Sequence, residues 1–560
     1  MATAALLVVG GGLLLSETRA TTFWADEWQW ILTRRGGGVA SLLDPHNSHL
    51  SLVPVVIYKL LFAAVGLRHY WPYRAVLVAM DLACALLVFV YARACVGGYL
   101  ALLAASLILF FGPGWQDILW PFQMSWLIAI AAGIGALLLL DRDDRVGDCG
   151  ACVLLGISLA SSGPGLAVAI GLAIDVLQRR RRRDAWIVAV PIALYALWWV
   201  GYEQTTVAAH SLLLVPRFSF DAAAGVLSAL AGLAEINVGT DTGTYLTWGA
   251  PLLAFALLAM VWRLHRLGRM PARVLTLLAM MVGFWVLTGI GRAYLPVGPL
   301  VLTATGDESR YLYVGAVFVI LLAAELARGY APSWRAGVLA GVLVVAAVVS
   351  NLAPLRDGSR FLQSQAQVTD AELGTLNLSR SIVKPDYVSN GFIFGTVTAQ
   401  EWFAAERRLG SAAASVAQIA AFPEPVREAA DAQLIKIQQF GLGAPSATRS
   451  VGRGALPTVD DVQSAAVSLS GDCVSVRPAS YTPALAASAI ALTVPSGGVL
   501  IRNGNAPAMV SVRRFATQFE PLGTLAATAP GVLRVAPDLA RQPWHVQITA
   551  GGPFIVCGLE

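Results

Sequence analysis

Two adjacent carboxylates, Asp26-Glu27, stand just after the first hydrophobic segment of the chain, within Thr22-Phe23-Trp24-Ala25-Asp26-Glu27-Trp28-Gln29-Trp30. Charged groups at a membrane boundary are costly unless hydrated, paired or used, whereas tryptophan at that depth is ordinary interfacial anchoring. A carboxylate held there can act as a general base. Two other stretches carry chemistry. Asp44-Pro45-His46-Asn47-Ser48-His49 follows in the same loop, and Gly306-Asp307-Glu308-Ser309-Arg310-Tyr311-Leu312-Tyr313 opens a late apolar run. The Arg310 guanidinium has the planar fork that binds phosphate bidentately, and Arg292, at the start of the same late loop, is a second candidate. His46 and His49 are spaced i, i+3, which on a helical turn offers two ligands for a divalent metal, with Asp44 or Asp26 as a third. The plainer readings are a helix cap or hydrogen bonds to a ligand. Equally plain readings exist for the charges: Asp26-Glu27 as a hydrated turn or paired with Arg34 or Arg35, and Arg310 as an interfacial charge paired with Asp307 or Glu308.

The elements that must position these groups are mostly membrane spans. The 560 residues are 57% hydrophobic and 13% charged, about half the charge of an average soluble protein, and the mean hydropathy is +0.66. Eleven apolar runs fill the first 354 residues: 2–15, 71–90, 98–111, 122–140, 151–161, 166–177, 186–202, 248–262, 274–290, 311–326 and 336–352. Several fall short of the roughly 17 residues a straight span needs, and Ser161-Ser162-Gly163-Pro164-Gly165 reads as a joint between two short helices. Leu50–Leu67, interrupted by Pro54, Tyr58 and Lys59, suits a helix lying flat in the interface. With that assignment Arg93, 141–145, Arg179–Arg183, Arg263–Arg273 and Arg328–Arg335 all fall on one side, the cytoplasm by the positive-inside rule. Arg179–Arg183 is then a topology signal and not a nucleic-acid patch. Segments 16–70, 112–121, 203–247 and 291–310 fall outside, as does the chain beyond about Ala353. The first segment lacks the basic start of a signal peptide and reads as an uncleaved span.

Composition changes after Leu355. Residues 355–458 are mixed and polar, with helical stretches at Ala399–Leu409 and Pro425–Gln438. From 459 to 560 short β-rich runs alternate with Gly, Pro and Asn, the pattern of an antiparallel β-sandwich. Cys473 and Cys557 sit in an early and the last strand, where one disulfide would close an exported domain. Cys149-x-x-Cys152 has no second pair to complete a zinc site. Trp544 is read as core in preference to a sugar-stacking surface.

The acidic pair in a long first outer loop, the His/Asn stretch before an amphipathic helix and the late Ser309-Arg310-Tyr311 at a span mouth resemble, in that order, the GT-C superfamily of integral-membrane glycosyltransferases. Protein mannosyltransferases, aminoarabinose transferases and actinobacterial arabinofuranosyltransferases belong to it. The resemblance covers residues 1–354, with 16–70 as the catalytic loop. The tail is similar to the carbohydrate-binding-like domains of the arabinosyltransferases. It implies an inverting transferase that moves a sugar from a polyprenyl-phosphate donor to a glycan or glycolipid acceptor at the outer face of the plasma membrane, in cell-wall biogenesis. Asp26 would be the base, with Glu27 able to share the role. Arg310, Arg292, His46, Asn47, His49 and Tyr311 would bind the donor, and Gln116, Asp117 and Trp120, beside the Gly112-Pro113-Gly114 turn, would line the acceptor cleft. Members differ in whether they use a divalent ion. Two other functions compete: a transporter or flippase for a lipid-linked sugar, and a non-catalytic scaffold that presents the sandwich to cell-wall glycan. No internal repeat or row of midplane charges favours transport, and a scaffold leaves the acidic loop unexplained.

Overall fold

The structure is a computed structural model that describes residues 1–34, 36, 38–178, 184–202, 209–234, 248–297, 300–330, 333–389, 397–443, 454–479 and 487–559. Arg35 and the Arg179–Arg183 cluster lie outside the described residues. The chain divides into two compact units, one of residues 1–21 and 33–363, the other of 22–32 and 364–560.

The first unit is helical. Trp71–Val96, Pro121–Leu140, Ala209–Leu230, Gly249–Leu267, Ala272–Arg292, Ser309–Leu326 and Trp334–Leu378 are long and apolar enough to cross a membrane. Gly98–Leu109 and Gly112–Leu119 pass together as a pair bent by 41°, and Ala2–Glu17, Leu52–Ala64, Pro164–Gln178 and Trp186–Tyr202 are shorter apolar helices. The protein is therefore a multi-pass membrane protein with a β-rich tail. Gly97, at φ +82°, breaks the long helix that starts at Trp71, a conformation that a residue with a Cβ rarely adopts.

Ion pairs join the helices at the end that carries the basic loops. Arg273 bonds Asp141 and lies 3.3 Å from Asp175. Arg328 pairs with Glu325 at 2.8 Å, and the Tyr91 hydroxyl donates to Glu325 at 3.1 Å. Arg263 donates to the Leu326 carbonyl at 2.8 Å. Two further helices pack against this bundle. Leu52–Ala64 is tied there by the Val53 N–H to the Ala160 carbonyl, 3.0 Å, and by Tyr58 against Tyr73, 5.3 Å between rings. It thus packs against the start of the Trp71 helix. The second helix corrects the sequence reading, which left 203–247 as an outer segment without an element. Residues Ala209–Leu230 form a helix of 22 residues, while 203–208 and 235–247 lie outside the described residues. Its Ser211 hydroxyl donates to the Tyr294 carbonyl at 2.7 Å, Phe218 packs on Tyr311 at 5.6 Å, and the Ala229 carbonyl accepts from Asn351 at 3.1 Å. Tyr294 follows the helix Ala272–Arg292, Tyr311 lies in the first turn of Ser309–Leu326 and Asn351 lies within Trp334–Leu378, so this helix packs against all three. Pro216 and the Arg217–Asp221 pair, 3.7 Å apart, interrupt its apolar run and hide its period.

The helix Trp334–Leu378 runs without interruption past residue 354. Its residues from 364 onward belong to the second unit. There two five-stranded antiparallel sheets face each other. One has the order Pro530–Val535, Gly497–Asn503, Phe554–Gly558, Cys473–Pro478, Ala465–Ser470; the other Thr458–Gln463, Ser488–Val494, Trp544–Ala550, Ala508–Arg513, Glu520–Leu525. Alternation does the sorting: Trp544, Val546, Ile548 and Ala550 point inward and the residues between them are half-buried, as a period of two requires. Cys473 and Cys557 are directly opposite across paired strands and form a disulfide. The helices are not a separate layer. Ala371, Ile419, Val426, Ala430 and Leu434 share one core with both sheets. Asp431, on the helix Glu424–Gln438, accepts hydrogen bonds from the N–H groups of Arg514, Phe515 and Ala516 at 2.8–3.0 Å, fastening helix to sheet.

Candidate active site

Within the first unit, His46-Asn47-Ser48-His49 forms a tight β-turn. The His46 N–H donates to the His49 carbonyl at 3.0 Å and the His49 N–H to the His46 carbonyl at 2.9 Å. Asn47 and Ser48 both take positive φ, +49° and +67°, the mark of a type I′ turn. The expected helical turn is thus replaced by a hairpin turn, because Pro45 and the polar Asn-Ser pair favour turn over helix. A non-glycine residue in this region carries strain, which collects at functional sites. Arg34, offered above as a partner for the acidic pair, instead holds this loop: it donates to the carbonyls of Ser41, Asp44 and Pro45 and lies 3.5 Å from the Asp44 carboxylate. Trp198 adds a 2.7 Å bond to the Leu43 carbonyl.

The turn forms one wall of a cavity of about 430 Å³. Asn47, Ser48 and His49 line it with Gly163 and Pro164 of the helix joint, Trp126, Trp199, Phe284, Leu287, Thr288, Arg292, Tyr294 and Tyr311. Most of the wall is aromatic or aliphatic, with one cation, Arg292, in the lining. The Arg292 guanidinium donates to the Asn47 carbonyl at 3.2 Å. Gly163 is required by closeness, since a Cβ there would stand 2.9 Å from the His49 ring. Burial, helped by the positive charges of Arg34 and Arg292, pushes His46 down to about 3; burial and then Arg292 do the same for His49, also to about 3. Both rings are therefore neutral at physiological pH and act as hydrogen-bond donors and acceptors. His46 packs at a tilt against Phe122, 5.1 Å between rings, and meets the Asn47 amide at 3.2 Å. Among the described residues no group of three or more His, Cys, Asp or Glu side chains converges to hold a metal ion.

Of the sequence-derived donor ligands, Asn47, His49, Arg292 and Tyr311 line this cavity, while Arg310 and His46 do not. Arg310 pairs with Glu308 at 2.7 Å, with 36% of its side chain exposed, and lies over the Tyr311 ring at 5.2 Å. Gln116, Asp117 and Trp120 are buried and absent from the cavity wall. The Gln116 N–H donates to the Ser309 hydroxyl at 3.3 Å, Trp120 stacks on Phe122 at 5.0 Å, and neither Asp117 carboxylate oxygen has a hydrogen-bond partner among the described residues. The wall residues Trp126, Trp199, Phe284 and Thr288 escaped sequence reading because each lies inside an ordinary apolar run.

The acidic pair belongs to the second unit. It opens a helix, Asp26–Thr33, and does not lie in an extended loop; carboxylates in a first turn complement the helix dipole. Glu27 is fully buried, and its carboxylate accepts from the Trp24 N–H at 2.9 Å. Asp26 is half-buried. Trp28 anchors the segment, its indole bonded to the Phe23 carbonyl at 3.0 Å and its ring on Trp402 at 5.8 Å, and Arg408 donates to the Ile31 carbonyl at 3.3 Å.

No protein-family model and no curated protein matches the sequence. Among solved structures, the chain is similar to ArnT from Cupriavidus metallidurans bound to undecaprenyl phosphate, at 11% identity and a TM-score of 0.43. It is similar to the same protein in the apo state at 12% identity and a TM-score of 0.42. Each match covers 72% of this chain and 84% of that one. The likeness is one of fold, at low sequence identity.

Proposed function

We propose that this protein is an inverting membrane glycosyltransferase that takes a sugar from a polyprenyl-phosphate donor to a cell-envelope glycan or glycolipid on the outer face of the plasma membrane. The observation that carries the reading is the cavity, in which an arginine joins an otherwise mostly aromatic and aliphatic lining. A lipid phosphate needs both, a fixed cation for the headgroup and apolar walls for the first isoprene units. The basic loops at the opposite end support an outward-facing cavity by the positive-inside rule.

In this reading Asp26 removes the proton of the acceptor hydroxyl as its oxygen attacks the anomeric carbon. The bond from that carbon to the phosphate oxygen breaks, and the electron pair leaves with the phosphate. Single displacement inverts the centre. A positioned base contributes about 10²–10⁴-fold, and Arg292 stabilises the charge that grows on the phosphate. Of the two acids, Asp26 is the better candidate because Glu27 is buried and spends its carboxylate on Trp24. The neutral His49 and the Asn47 turn orient Arg292 and the headgroup.

Membranes carrying the protein are incubated with labelled polyprenyl-phosphate sugars and glycan acceptors. Transfer by the parent and its loss by at least about 100-fold in Asp26→Asn, with donor binding retained, are expected. Equal transfer by Asp26→Asn would remove Asp26 as the base.

A further inference from the structure

The second unit has a groove of about 890 Å³ at one end of the sandwich. One wall is the loop of residues 536–543, and the other is the Pro495-Ser496-Gly497 turn. The loop is pinned from behind. Arg514 donates to the Asp538 carboxylate at 2.5 and 3.0 Å and to the Gln542 carbonyl at 2.9 and 3.0 Å. Gln438 exchanges two bonds with the Ala536 backbone, 2.9 and 3.1 Å. A wall held in this way is preformed, so a ligand bears little ordering cost on binding.

The groove presents a specific set of unused groups. Arg534 and Arg541 line it and are exposed. Neither forms an ion pair among the described residues, whereas Arg514 is neutralised by Asp538. Trp544, 2% exposed, also lines the groove; among the described residues its indole N–H has no acceptor and the Gln542 side-chain oxygen has no donor. Buried polar atoms left without partners lose their hydration uncompensated, a loss that a ligand bearing hydroxyl groups would recover. Two guanidinium forks call for carboxylates or phosphate esters. A lone inorganic anion would fill little of a groove this large, within the roughly 300–1,000 Å³ range of ligand sites.

We propose that this groove binds an acidic oligosaccharide, its oxyanions on Arg534 and Arg541 and its hydroxyls on the indole and amide beneath. The site is independent of the donor cavity and of the reaction proposed for it.

The test is calorimetry on the full chain in detergent with trigalacturonate, glucose 6-phosphate, maltotriose and inorganic phosphate as probes. Trigalacturonate or the sugar phosphate should bind at least tenfold more tightly than maltotriose, and more weakly as salt rises. Whichever of the two binds more tightly assigns the oxyanion as carboxylate or phosphate ester. Arg534→Ser/Arg541→Ser should lose at least tenfold with its melting temperature unchanged, and Arg292→Ala should bind these probes as the parent does. The proposal is overturned by equal binding of maltotriose, by inorganic phosphate binding as tightly as the sugars, or by no binding of either acidic sugar at millimolar concentration. Unchanged binding in the double variant, or its loss in Arg292→Ala, overturns it as well.

Discussion

Replacing Arg292 separates the two arginines that the sequence offers as phosphate ligands. Arg292 faces the cavity and makes its hydrogen bond to a neutral carbonyl, that of Asn47 at 3.2 Å, so its charge is available to a ligand. Arg310 already pairs with Glu308 at 2.7 Å, which cancels much of its field. A hydrogen bond to a charged group is worth about 1.5–3 kcal/mol. Since Arg292 is only half-buried, water screens part of this, and about 2 kcal/mol is the expected loss in Arg292→Ala, or ~30-fold in affinity. Arg310→Ala should cost less than about threefold, the size of a screened, already paired charge. Arg292→Lys keeps the charge and loses the fork, so it should fall between them. The assay is equilibrium binding of labelled polyprenyl phosphate to protein in nanodiscs of uncharged lipid, with thermal unfolding as the control for folding. A larger loss in Arg310→Ala than in Arg292→Ala would refute the reasoning, as would unchanged binding in Arg292→Ala.

Acid should weaken the first unit through His46 and His49. Both are held near 3 in the folded chain against about 6.5 when unfolded, so between these values the unfolded state binds more protons and stability falls as pH drops below about 6.5. His46→Gln/His49→Gln should flatten the decline in melting temperature between pH 7 and 5, and an identical decline would remove the histidines as its cause. Reducing the Cys473–Cys557 disulfide reopens a sequence separation of 84 residues, for which chain entropy gives about 4–5 kcal/mol; the sheet signal in circular dichroism should melt at distinctly lower temperature in dithiothreitol, and an unchanged melt would count against a stabilising bond. Asp431→Ala leaves three buried N–H groups without their acceptor and should destabilise the second unit by about 2–4 kcal/mol, read in its denaturant midpoint. A shift below about 1 kcal/mol would mean that water replaces the carboxylate.

Much of the architecture is written locally. Apolar runs, the basic loops between them and the period-two tail each follow from neighbouring residues, because lipid selects composition and a half-buried sheet selects alternation. The separate helix Leu52–Ala64 was legible as an apolar run of its own. The helix Ala209–Leu230 was not, since Pro216, Arg217 and Asp221 blur its pattern and only the structure shows its contacts with Tyr294, Tyr311 and Asn351.

The site divides in the same way. Sequence by itself determined which groups have the right chemistry: two acids, a His-Asn-Ser-His stretch and two arginines near apolar boundaries. Tertiary structure decided which of them face one another. It turned His46–His49 into a hairpin turn, set Arg292 against Asn47 some 245 positions away, paired Arg310 with its neighbour Glu308, and spent Glu27 on the Trp24 N–H. Residue type fixes a pKa range and a hydrogen-bonding inventory, both local properties. The exposure of a charge and the partner it meets depend on packing between distant helices, and no short stretch of sequence encodes that.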